Sequence, residues 1–84
     1  GNHYHVRKRQ VVIVLPGPTW SLHCDEGEGT PVHCHSFDGS SAMMVLVLPG
    51  CALAVRNDGQ QPLWLAMCSS RPYDPKDIVA RKVI

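Results

Sequence analysis

Eighty-four residues, 44% hydrophobic and 18% charged, suffice for one domain over residues 1–84 and leave no room for a second. The net charge of +1 excludes the strongly basic surface through which nucleic acid is bound. The longest apolar runs, residues 11–15 and 42–48, are too short to cross a bilayer, so no membrane partner is expected.

In chain order, short β-rich runs alternate with turn residues. No window of a dozen residues keeps apolar positions at helical spacing without Gly or Pro interrupting. Residues 3–6 are the first predicted strand, and Arg7-Lys8-Arg9 is a solvated basic turn. Residues 10–15, almost all β-branched, form a second strand expected to be buried on both faces. Pro16-Gly17-Pro18 ends it. Residues 19–24 make the third strand, with Trp20 and Leu22 on one face. The loop 25–30 is rich in Gly and acid, and Asp25, Glu26 and Glu28 read as solvated turn residues. Residues 32–37, 42–48, 51–56 and 63–68 follow as further strands. Asn57-Asp58-Gly59 is a tight turn of residue types that tolerate positive φ. Residues 78–84 form a short strand or edge segment. The pattern predicts an all-β fold, an antiparallel sandwich or small barrel.

Four cysteines occur, Cys24, Cys34, Cys51 and Cys68, with no C-x-x-C pair. No secretory leader is recognised, so reduced thiols in a cytoplasmic protein are expected. His23, Cys24, His33, Cys34 and His35 bring ligand-type residues onto one hairpin, but their spacing fits no common zinc pattern. They read as half-exposed polar strand residues with buried thiols. A metal there would need His23 to pair with His33 or His35 across the hairpin. Trp20, Trp64, Met43, Met44 and Met67 read as core or interface. Charge is below the roughly 25% of a typical soluble domain, and a small chain of this kind is expected to cover apolar surface as a homodimer.

His3 and His5 are two apart, which points both to one face of a strand. Gln10 follows five residues later, across a turn, on what reads as the neighbouring strand of a hairpin. Gly17 lies seven residues further on. This spacing resembles the first motif of the cupin superfamily, a His-x-His pair followed by a carboxylate and a Gly, with Gln10 where the family usually has Glu. Pro49, Gly50 and Asn57 resemble the second motif, with Leu53 at its His position. Residues 57–63 and Arg71-Pro72-Tyr73-Asp74-Pro75-Lys76-Asp77 also look like cupin C-terminal sequence, so the resemblance covers most of the chain. It implies a cupin-type antiparallel β-barrel or jelly-roll sandwich. Cupins normally have strands ahead of the His-x-His pair. The resemblance therefore implies completion by further upstream strands, by the tail, or by strand exchange in a homodimer.

Three functions are implied by the resemblance. The first is a divalent transition metal (Zn, Fe, Ni or Cu) held by His3, His5 and Gln10 beside a small-molecule ligand. Leu53 supplies no donor, while strand parity puts Cys51 on the same side. The second is metal-free acid–base chemistry, as in cupins that isomerise keto groups on sugar nucleotides, with His3 or His5 as the catalytic proton shuttle. The third is a non-catalytic barrel that binds a small molecule among Val, Leu and Met side chains. No Ser–His–Asp order, phosphate loop or nucleotide fingerprint is present.

Overall fold

Short β-rich runs closed by turn residues organise this chain into strands whose successive side chains point to opposite faces. The computed structural model describes residues 1–84. Its strands are β1 (His3–His5), β2 (Gln10–Val14), β3 (Trp20–Cys24), β4 (His33–Phe37), β5 (Met43–Val47), β6 (Leu53–Asn57), β7 (Leu65–Ser69) and β8 (Ile78–Ala80). A 3₁₀ turn at Pro75–Asp77 precedes β8. Two antiparallel sheets result, one in the order β4-β3-β6-β1-β8 and one in the order β5-β2-β7. The all-β expectation is met by two separate sheets, and they do not close into a barrel. The tail contributes a strand over its first three residues only, pairing Ile78, Val79 and Ala80 with His5, Tyr4 and His3.

The main core lies between the sheets. Val12, Val14 and Val47 come from the three-stranded sheet, and Trp20 and Leu22 from the five-stranded one. Trp20 stacks on Phe37 with ring centroids 4.3 Å apart, and its buried indole N–H has no acceptor. A second, smaller cluster forms on the other face of β6, where Ala52 and Ala54 pack with Val83 and Tyr4. The tail is fastened there. Asn2 Oδ1 accepts from Val83 N at 2.9 Å and Ile84 N at 3.0 Å. Arg81 lies over the Tyr4 ring, 4.3 Å from its centroid.

Two turns show how local chemistry sets the strand ends. Gly39 has φ +82°, and a side chain there would collide with the carbonyls of Gly17 and Pro18. Its own carbonyl accepts from Gly17 N at 3.0 Å, so only glycine closes this contact. At 57–59 no residue takes positive φ, contrary to expectation. The Asn57 side chain builds the turn instead, donating to Gln61 O at 2.7 Å and accepting from Gly59 N at 2.9 Å.

Four expectations are corrected. β1 and β2 are not a hairpin, because they belong to different sheets and the segment between them crosses from one to the other. Asp77 holds that crossing, accepting from Arg7 N at 2.8 Å and Lys8 N at 3.1 Å. Lys8 is consequently 5% exposed rather than solvated, with Nζ 6.0 Å from the Tyr73 ring centroid. β2 is buried on one face only, since Val11 and Ile13 look outward from a sheet with nothing behind it. Asp25 is not a solvated turn residue but a buried ion-pair partner of Arg81.

Candidate functional site

The residues singled out by the His-x-His spacing come together. β1 turns His3 and His5 inward from the five-stranded sheet. β2 brings Gln10 to the same cavity from the opposite sheet rather than from an adjacent strand, so the polar groups face each other across the gap. The cavity has a volume of about 170 Å³, and Val12, Leu53, Val55 and Met67 supply much of its apolar wall. Cys51 also reaches it, half-buried, on the side that strand parity indicates. Leu53 is part of the wall and provides no donor. The mouth lies towards β7, whose Leu65 and Met67 face inward yet stay exposed because no strand of the other sheet covers them.

The two imidazoles pack edge to face, ring centroids 5.2 Å apart. His3 Nδ1 lies 3.3 Å from the Gly1 carbonyl and donates to it. His5 Nδ1 is buried without a hydrogen bond and points at Asp77 Oδ2, 3.7 Å away. Nε2 makes no hydrogen bond within the protein in either ring, and in His5 neither nitrogen does. Burial is the main cause that lowers the His5 pKa below its ordinary value. The charges of Lys8 and His3 act in the same direction, and Asp77 opposes them. Burial thus favours the neutral form of the His5 imidazole. The Gln10 amide donates to Ser69 Oγ at 3.2 Å, which leaves its carbonyl oxygen free.

No family model matches the chain, and no curated protein or solved structure matches it either.

The His and Cys residues of the β3–β4 hairpin divide between two faces. His23 is the register partner of Cys34, whereas His33 and His35 stand opposite Cys24 and Leu22 and point the other way. The pairing of His23 with His33 or His35 therefore does not form. Cys34 is exposed rather than buried. No three His, Cys, Asp or Glu side chains converge anywhere as a metal-holding group. No helix is long and apolar enough to cross a membrane.

Sequence reading missed Asp77 and Lys8. Asp77 sits directly behind the His5 ring and shapes the crossing to β2, yet it lies 72 positions along the chain from His5. No local pattern announces such a contact. Its only signal was its place in the cupin-like stretch 71–77.

Proposed function

We infer that this chain is a small cupin-type protein whose cavity binds a small organic molecule. The carrying observation is that His3, His5 and Gln10, from two sheets, line one largely apolar cavity of about 170 Å³. A cavity of roughly 150 Å³ lined by apolar side chains holds a ring the size of benzene. The ligand has an apolar body between Val12, Leu53 and Met67 and an oxygen function that meets the imidazole Nε2 atoms and the Gln10 carbonyl or amide. The free state of all four cysteines supports a cytoplasmic setting, and the uncovered apolar face of the three-stranded sheet supports a homodimer.

Phenol and benzoate are suitable probes, followed by amide and methyl NMR. Saturable shifts confined to Val12, Val47, Leu53 and Met67, and lost in a folded Leu53→Phe variant that fills the cavity, are expected. Absence of any saturable shift removes this reading.

A second reading is favoured by the orientation of the rings. With Nδ1 of His3 on a carbonyl and Nδ1 of His5 towards Asp77, both Nε2 atoms are presented as ligands, and Asp77 takes the place of an outer-shell carboxylate. The donor set is two imidazole nitrogens and one amide oxygen. It fits an exchangeable divalent ion (Zn, Ni, Fe or Cu) completed by oxygen from solvent or ligand, and not a tightly held resident metal. Repeating the titration with Zn²⁺ decides this. Loss of the zinc response in the His3→Ala/His5→Ala double variant supports it, and an unchanged response in that variant rejects it.

A further inference from the structure

Away from the cavity, the outer face of the five-stranded sheet holds a second group of reactive side chains. His23 on β3 and Cys34 on β4 are register partners, which sets their side chains next to each other. His23 Nε2 lies 3.8 Å from Cys34 Sγ and 2.9 Å from Ser21 Oγ. Ser21 is fully buried and His23 is 9% exposed, so the ring and the hydroxyl are held in a water-poor place. Cys34 is exposed, on an edge strand of its sheet. Arg56 on β6 and Asp58 in the turn after it complete the charged surroundings of the ring. Arg56 is the main cause that holds the Asp58 carboxyl below the usual carboxylate range, with smaller help from the Ser21 hydroxyl and His23. The order from the turn outward is carboxylate, hydroxyl, imidazole, thiol.

The other thiols lack this arrangement. Cys24 faces inward from β3, and burial pushes its thiol up. Cys51 lies in the cavity wall. Cys68 is exposed like Cys34, but its register partner is Val11. The thiolate is the nucleophile in cysteine chemistry, and an imidazole in contact with the sulfur is the usual base that generates it.

We propose that Cys34 is a nucleophilic thiol that exchanges with small-molecule disulfides, with His23 as its base. His23 Nε2 takes the Cys34 proton, and the sulfur attacks one sulfur of R–S–S–R. The R–S–S–R bond breaks as the Cys34–S–S–R bond forms, and the departing R–S⁻ takes the proton from the imidazolium. Cys34 is oxidised and the released half of the disulfide is reduced. Ser21 is a positioning residue. In the resting ring its hydroxyl donates to Nε2; it turns away as that lone pair takes the Cys34 proton, and its oxygen then accepts from the protonated nitrogen.

Glutathione disulfide, added at pH 7 to the reduced intact protein at a dilution where it is monomeric and Cys68 is uncovered, is the probe. Timed acid quench and peptide mass spectrometry follow Cys34 and Cys68 in the same molecules. Cys34 is expected to form the mixed disulfide about tenfold faster than Cys68, a gap of the size that base activation gives over simple exposure. In His23→Gln the Cys34 rate is expected to fall to that of Cys68. Equal rates at the two cysteines in the unaltered protein overturn the proposal, and so does an unchanged Cys34 rate in a folded His23→Gln protein. The comparison within the unaltered protein stands even if the variant fails to fold.

Discussion

The carboxylate of Asp25 receives Arg81 Nε at 2.8 Å, Arg81 Nη2 at 2.7 Å, Ala52 N at 3.0 Å and Gly27 N at 3.1 Å. Arg81 also donates to the Gly50 carbonyl. One residue thus joins the loop after β3, the turn before β6 and the tail after β8. Burial pushes the Asp25 pKa up, but the guanidinium and the two backbone N–H groups overcome it, and the net position is below the ordinary carboxylate value. The folded pKa is then lower than the unfolded one, about 3.9. The stability Asp25 supplies is complete above the unfolded value and is lost as pH falls through the folded one. Urea unfolding of the parent and of Asp25→Asn should therefore converge on acidification below about pH 4. At pH 7 the variant should be less stable than the parent, because Arg81 keeps its charge without its carboxylate partner. Equal stability at pH 7 would show that the pair only decorates the surface.

At the level of strands, the sequence was legible wherever a β-rich run met turn residues. The run at 10–15 is β-branched and bounded by Gln10 and Pro16, and β2 forms within it. The pairing of strands was not legible. Residues 6–9 are as consistent with a hairpin as with a crossing between sheets, and the deciding contact is Asp77, about seventy positions away. For the same reason the cavity was half readable. The parity of His3 and His5 follows from spacing, whereas Gln10 reaches them only because β2 lies in the facing sheet. The outer face of β5-β2-β7 carries Val11, Ile13, Met44, Leu46, Ala66 and Cys68, with Met44 71% and Leu46 62% exposed. A patch of this composition on a small chain is the surface a second copy would cover. In sedimentation at micromolar concentration the parent should run as a dimer and Leu46→Lys as a monomer. A monomeric parent would end the homodimer reading.

Across the whole molecule, β3–β4 is the only ladder between strands that follow one another in the chain. Every other ladder joins one of β1, β2 and β3 to one of β5, β6, β7 and β8. The second half therefore contains no two strands that pair with each other, and the first half contains one hairpin. Two isolated strands are marginal in water. The exposed turn between Ser40 and Ser41 is consequently a seam that divides the protein into pieces with no order of their own. Fragments 1–40 and 41–84 should each give the circular dichroism of an unfolded peptide, and should regain the spectrum of the intact chain when mixed. A fragment already folded alone would contradict this. Reassembly would make this chain a split reporter, whose halves stay silent until something brings them together.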